Sequence, residues 1–270
     1  MPTDLILTDS QIERYSRHIV LKQIGLRGQS RLLKGKVLIV GLGALGSPAA
    51  LYLAAAGVGC LGLADFDVVE HSNLQRQILY STDDVGRSKV EIAGKRIRDL
   101  NSDVKVTMHE KRLCAANISE IVNDYNFVID GTDSFPSKLL INDACVKYSI
   151  PFSHAGAVQF IGQTMTILPG VSACLRCIVS TTPQAGQTQT CSESGILGPV
   201  AGILGTIQAV EAIKYIAGAG TLLQDRVIFI DALSMDFRSI VVHRSLNCPV
   251  CSSDPEAIKL SDQETDICRR

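Results

Sequence analysis

A short strand-like run, Lys36 followed by the apolar Val37-Leu38-Ile39-Val40, passes straight into Gly41-Leu42-Gly43-Ala44-Leu45-Gly46 and then into an alanine-rich stretch from Pro48 to Gly57. No other feature of the chain leaves so few folds open. A short apolar run stopped by glycine reads as a buried strand, and Pro48 falls where proline is welcome, in a first helical turn. Glycines between the two let backbone N–H groups approach an anion at the helix N-terminus, where the macrodipole favours negative charge.

The alternation then repeats along the chain. A second strand is expected from about Cys60 to Asp65, then a helix over Arg87 to Leu100 and strands over Val104 to Met108 and Phe127 to Asp130. Strand and helix alternate through about Ala157, which predicts an α/β fold with a doubly wound, mainly parallel sheet. Farther on, Gln163 to Leu168 reads as a strand, Ser172 to Ser194 as a polar loop and Gly195 to Ala217 as a helix. Val227 to Asp231 and Phe237 to His243 suit an antiparallel C-terminal hairpin. The expected organisation is an N-terminal helical segment over 1–35, including an amphipathic helix over Asp9 to Leu21, and one domain over 36–252. Its nucleotide-binding half runs to about 157, its second half covers 158–252, and residues 253–270 form a flexible tail.

Composition narrows the function classes. Hydrophobic residues make up 46% and charged residues 20%, enough apolar material for a sizeable core. A formal net charge of −1 gives no drive toward nucleic acid or an anionic membrane. No basic segment leading into an apolar run marks a leader. The most apolar stretch, Gly195 to Ala219, carries Gln208, Glu211 and Lys214 and is expected to be a buried helix. Nine cysteines without a leader point to reduced thiols in a cytoplasm, used for metal or chemistry.

Two pairs stand out among them, Cys174-Leu175-Arg176-Cys177 and Cys248-Pro249-Val250-Cys251. Four thiolates suit tetrahedral zinc with no position left open, hence a structural metal; a redox dithiol is the rival reading. Cys60, Cys114 and Cys145 are expected to pack in the core and Cys268 to lie in the loose tail. No two histidines have metal-ligand spacing; His71 is expected at the surface, and His154 as a satisfied polar group.

Asp65 lies nineteen residues after Gly46, at a strand end, where a carboxylate can bind ribose hydroxyls. NAD would suit that pattern too. The segment Asp65-Phe66-Asp67 through Asn73-Leu74-Gln75-Arg76-Gln77, with Lys89 beyond it, argues instead for phosphate and metal chemistry. With the glycine loop, Arg76 and Lys89 supply positive charge for a triphosphate.

Taken in order, the glycine loop, Asp-Phe-Asp, Asn-Leu-Gln-Arg-Gln, Val-Gly-x-x-Lys, Gly-Thr-Asp and the paired cysteines resemble the MoeB/ThiF/HesA family, bacterial relatives of ubiquitin-activating enzymes. The resemblance spans roughly Ile12 to Ser252. It implies a Rossmann-like homodimer that uses ATP and magnesium to adenylylate the C-terminal Gly-Gly carboxylate of a ubiquitin-like sulfur-carrier protein, in molybdopterin, thiamin or related biosynthesis. Carried over by resemblance, Asp65 binds ribose, and Gly41, Gly43, Gly46, Asp67, Asn73 and Gln77 line the nucleotide. Arg76 and Lys89 contact phosphates, and Asp133 coordinates magnesium. Arg17 reaches the ATP of the opposite subunit, and Cys191 stands at the position of the conjugating cysteine.

Relatives continue Thr-Asp with Asn and then an Arg four residues on; here those places hold Ser134 and Lys138, which keeps the charge but loses the planar fork of Arg. Asn142 matches a downstream asparagine and is expected to be structural. No sulfurtransferase-like domain is read after Cys251, so sulfur is expected from a separate protein. The rivals are a relative that adenylylates another acid, a tRNA base included, a non-catalytic scaffold and an NAD oxidoreductase. The charge balance gives the tRNA version little support, and a scaffold should have lost Arg17, Arg76, Lys89 and Asp133.

Overall fold

A computed structural model of the protein describes residues 7–179 and 194–262. In β1 (Lys36–Val40), Val37 and Ile39 enter one core while Leu38 enters another with Val40. Burial on both faces explains why this strand reads as an unbroken apolar run. The others are β2 (Cys60–Ala64), β3 (Lys105–His109), β4 (Phe127–Asp130), β5 (Phe152–Val158), β6 (Ile161–Ile167), β7 (Arg226–Asp231) and β8 (Asp236–Val241). They form one sheet in the order β3-β2-β1-β4-β5-β6-β7-β8. Pairing is parallel from β3 to β5 and antiparallel from β5 to β8. The expected sheet, mainly parallel with an antiparallel C-terminal part, is the one observed.

The helices are α1 (Asp9–Arg14), α2 (Ser16–Ile19), α3 (Gly25–Lys34), α4 (Gly46–Ala55), α5 (Lys89–Leu100), α6 (Ile118–Val122), α7 (Phe135–Lys147), α8 (Leu175–Ile178) and α9 (Gly198–Ala217). α4, α5 and α9 cover the sheet face of Val37 and Ile39. α6 and α7 cover the other, together with the paired cysteines. Strand order turns back between β1 and β4, and in such open sheets ligands bind beyond the carboxyl ends of the strands at that switch point.

The structure corrects several expectations. The helix expected over Asp9 to Leu21 breaks at Tyr15, which turns inward to 2% exposure. Its hydroxyl donates to Asp103 Oδ2 at 3.1 Å and accepts from Asn101 Nδ2 at 2.9 Å. Its ring fills the space over Gly57, where a Cβ would stand 2.5 Å away. The last long helix starts at Gly198 because the residues before it bond to the β5–β6 turn, Gln159 N–H to Gly195 O and Leu197 N–H to Gln159 O. The segment expected to be a flexible tail is packed as far as Asp262. Ile258 is buried, its carbonyl accepts from Lys147 Nζ at 2.8 Å, and Asp262 Oδ1 accepts from Ala115 N–H at 2.9 Å.

By length and composition α9 could cross a membrane, but half of it is buried within the protein. Its Gln208 Nε2 donates to the carbonyls of Asp130 and Ser153, both at 2.9 Å, as befits the buried core helix expected.

Candidate active site

The switch point is where the glycine loop stands. Gly41, directly after β1, has φ +84°, and a Cβ there would lie 2.7 Å from the carbonyl of Gly131, directly after β4. A Cβ on Gly46 would lie 1.9 Å from the Gly41 carbonyl. Neither position admits a side chain. Gly43 differs: among the described residues, a Cβ there would meet only Gln77 Nε2 within 4 Å, at 3.6 Å. That opening is room a ligand can use.

Asp65 comes directly after β2 and braces the loop. Its Oδ2 accepts from Leu42 N–H at 2.7 Å, and its Oδ1 from Phe66 N–H at 2.8 Å and Asp67 N–H at 3.0 Å. Burial pushes its pKa up, against the backbone hydrogen bonds and the charge of Lys89. Tyr80 supports the same loop by donating its hydroxyl to Leu42 O at 3.0 Å. Gln77 is buried, and its Oε1 has no hydrogen-bond partner among the described residues. An unpaired buried acceptor costs about 1–3 kcal/mol, an expense that a donor on a bound nucleotide would remove. The sugar-side and loop residues therefore fit a nucleotide.

The cations are positioned from two elements. Lys89 opens α5 behind the N-cap Ser88; its side chain is 6% exposed and its Nζ donates to Asp67 Oδ2 at 3.0 Å. Arg76 lies in the turn after Asn73, whose carbonyl accepts from the N–H groups of Arg76 and Gln77, both at 3.0 Å. The Arg76 guanidinium donates to Ser72 O at 3.0 Å. Asn73 itself is buried, with Oδ1 accepting from Glu70 N–H at 3.4 Å.

Beyond β4, Asp133 is exposed, and the cap of α7 is Ser134, whose Oγ accepts from Ser137 N–H at 3.2 Å. The Asp133 carboxylate is thus not committed to capping. Lys138 lies beneath, buried, donating to the carbonyls of Thr132 at 2.6 Å and Ala155 at 2.7 Å. It stands 3.4 Å from Asp130 Oδ2, which also accepts from His154 Nδ1 at 2.8 Å. Asp130 Oδ1 accepts from Thr132 Oγ1 at 2.7 Å. Burial alone would raise the Asp130 pKa, yet Lys138, His154 and Thr132 hold it down at about 2. Burial pushes the His154 pKa down, so the ring is neutral and donates through Nδ1, the satisfied polar group expected. Sequence reading passed over Asp130 and Thr132. The signal available was an acidic residue at a strand end, the same one that marked Asp65.

The structure therefore gathers Gly41, Gly43, Gly46, Asp65, Asp67, Asn73, Arg76, Gln77, Lys89 and Asp133 around the strand ends. Arg17 stands apart. Neighbouring Tyr15 packs on Gly57, and Arg14 Nη1 donates to Leu100 O at 3.2 Å, both at the starting ends of the strands. Five strand residues, about 16 Å, separate that end from the glycine loop. Cys191 and most of the loop around it fall outside the described residues.

Family comparison bears directly on this arrangement. The ThiF family profile matches residues 15–250. The chain belongs to the ThiF family. It is 43% identical over 247 residues to the SAMP-activating enzyme E1 of Haloferax volcanii, covering 92% of this chain and 91% of that protein. With the sulfur carrier protein adenylyltransferase of Thermus thermophilus it shares 39% identity over 262 residues, 95% and 97% of the two chains. With bovine adenylyltransferase and sulfurtransferase MOCS3 it shares 41% identity over its whole length, which is 61% of that protein. Among solved structures, E. coli MccB with ATP superposes with a TM-score of 0.78 at 26% identity, covering 89% of this chain and 75% of the other. This ThiF-family chain is an adenylyltransferase, as its named relatives are.

The ThiF chain also brings its two cysteine pairs together. Sγ separations are 3.6 Å for Cys174–Cys248, 4.0 Å for Cys174–Cys177 and 3.3 Å for Cys177–Cys251, and all four sulfurs lie within 4.8 Å of one another. Zinc–sulfur bonds of about 2.3 Å in a tetrahedron require sulfurs about 3.8 Å apart, so the cluster could hold zinc. Asn142 supports it from α7, accepting from Leu175 N–H at 2.8 Å, while Arg176 pairs with Asp143. Cys60 and Cys145 are free thiols, and Cys114 is buried, as expected of a packing residue.

Proposed function

We propose that this enzyme uses ATP and magnesium to adenylylate the C-terminal Gly-Gly carboxylate of a small ubiquitin-like sulfur-carrier protein, releasing pyrophosphate. The observation that carries this reading is the meeting, at the β1/β4 switch point, of a glycine loop that admits no side chain at Gly41 or Gly46, buried Asp65 and the two cations Arg76 and Lys89. The relatives named for adenylyl transfer to sulfur carriers, and the likeness to an ATP-bound MccB, support the same choice of nucleotide and acceptor.

The acceptor carboxylate is ionised at pH 7, so no strong general base is needed. The difficulty is bringing one anion to the α-phosphate of another while charge gathers on departing pyrophosphate. Positioning and fixed positive charge meet it. A unit-charge pair about 4 Å apart is worth on the order of 4 kcal/mol at an effective dielectric near 20, before desolvation. In this reading Asp65 holds the ribose, and Arg76 and Lys89 hold phosphate oxygens. Magnesium is usually held by one or two carboxylates together with substrate phosphates, and exposed, uncommitted Asp133 fits that donor set. The ion would supply further charge neutralisation.

The zinc is structural, since four thiolates leave no open position. A reducing cytoplasm suits such thiols. Sulfur comes from a separate donor protein, and the step serves molybdopterin, thiamin or a related biosynthesis. A homodimer completes each site through the partner subunit's Arg17.

The test is ATP–pyrophosphate exchange with purified ubiquitin-like proteins ending in Gly-Gly. Exchange should appear with the intact carrier and vanish when its last glycine is removed; exchange indifferent to that glycine would discard the proposed acceptor. Arg76→Ala should abolish exchange while leaving melting and zinc content unchanged, and near-normal exchange would remove Arg76 from the mechanism. Cys191→Ala should leave exchange intact, because adenylylation precedes any thiol step; its loss would give that thiol a part in adenylylation itself.

A further inference from the structure

The first turn of α9 lies backbone to backbone against the turn that carries Arg76. A Cβ on Gly198 would stand 2.8 Å from the Gln75 carbonyl oxygen, 3.2 Å from Arg76 Cα and 3.3 Å from Arg76 Cβ. Gly198 opens an ordinary right-handed helix, so space and not backbone conformation demands glycine there. Seven residues on, a Cβ on Gly205 would stand 2.2 Å from Leu45 O and 2.8 Å from Pro48 Cγ. Residues seven apart share a helix face to within about 20°. One face of α9 therefore rests on both the exit of the glycine loop and the Arg76 turn. A Cβ on Gly202, between them, would meet nothing within 4 Å among the described residues.

The start of α9 is itself anchored, by Gln159 N–H to Gly195 O at 2.8 Å and Leu197 N–H to Gln159 O at 3.0 Å. Among the described residues, the Arg76 side chain is tied to a carbonyl of its own turn. The seat of that turn therefore sets where its guanidinium stands.

We infer that Gly198 is a positioning residue for Arg76: its missing side chain lets α9 seat the 75–76 backbone at the height from which the guanidinium meets the nucleotide's phosphates. The inference rests on the proposed role of Arg76 at the triphosphate. A methyl at Gly198 must displace the turn by roughly half an ångström to reach an ordinary contact distance, and misplacements approaching 1 Å can cost a hundredfold.

The experiment compares magnesium-ATP with AMP, because only ATP carries the β- and γ-phosphates. Calorimetric affinities for both are measured on the full chain as wild type, Arg76→Ala, Gly198→Ala and Gly202→Ala. Gly198→Ala should weaken ATP about tenfold and AMP less than twofold, an effect in the range a small misplacement produces. Gly202→Ala should change neither. In the Arg76→Ala background, Gly198→Ala should weaken ATP less than twofold further, as expected when two changes remove one interaction. Equal weakening of ATP and AMP, or a full further loss in that background, would mean a merely structural glycine and overturn the inference. So would an unchanged ATP affinity.

Should Gly198→Ala not fold, Leu197→Pro offers a second route. Leu197 has φ −81°, which proline accepts, and the change removes the N–H tie to Gln159. It should weaken ATP selectively, and equal losses of ATP and AMP would again overturn the inference. Wild-type protein that does not bind ATP at all would strike the proposed function, whereas tight wild-type ATP binding lost in Arg76→Ala and kept in Gly198→Ala strikes only this inference.

Discussion

Asp130 is fully buried, yet it bonds Thr132, the neighbour of Asp133, and so fixes the loop beside the glycine cradle. Its carboxylate is the counter-charge of buried Lys138 and the acceptor for His154. Asp130→Asn would leave that ammonium buried without its carboxylate, and breaking one half of a buried pair typically costs about 3–5 kcal/mol. Urea denaturation should show a loss in that range; a loss below about 1 kcal/mol would mean that the lysine finds water or another partner. The pH dependence has a definite sign. Because the folded pKa lies near 2, below the ordinary 3.8, this carboxylate stabilises the fold above 3.8. That contribution is lost as pH falls toward 2, in Asp130 and not in the Asn variant. Gly46→Ala is a harsher change at the same scale. With a Cβ only 1.9 Å from the Gly41 carbonyl, the loop must open, and nucleotide binding should disappear in a calorimetric titration.

At the scale of elements, burial pattern governed legibility. β1 and β4, buried on both faces, read directly from their apolar runs, and Asp65 was found because a strand end and a spacing coincide. α3 was not read. Its buried residues are Gly28, Gln29, Ser30 and Leu32, so Leu32 is the one large apolar side chain among them, and Gln29 is satisfied by the Ala56 carbonyl instead. The break at Tyr15 was equally silent, since its cause is a contact with residues 101 and 103, far away in sequence. The cysteine pairs were legible from spacing, and their consequence belongs to this scale. They tie α8 to the segment after β8, which no strand pairing holds. A chelator should release about one zinc per chain, as four-thiolate sites bind one ion. Residues 244–258 should then become protease-sensitive while the parallel sheet stays folded. Protein that carries no zinc under reducing conditions, or keeps full protection without it, would show that the cluster closes on its own.

At the scale of the whole molecule, one residue does not fit a single chain. Arg17 lies at the starting ends of the strands, exposed, while Arg76 and Lys89, proposed to hold the phosphates, stand toward the opposite ends. Around it Ile12, Val20, Leu21 and Leu26 are exposed large hydrophobics within one short segment. Such a patch suits a surface covered by another subunit. If the partner subunit's Arg17 completes each site, Arg17→Ala and Arg76→Ala should each be inactive alone yet complement one another. A mixed dimer has one site with both arginines and one with neither. Random reassortment makes half the dimers mixed, so an equal mixture should regain about a quarter of wild-type exchange per chain, the fraction a two-fold dimer dictates. Mixing without recovery, after subunit exchange has been verified by mass, would place Arg17 outside the active site. Activity of Arg17→Ala on its own would do the same.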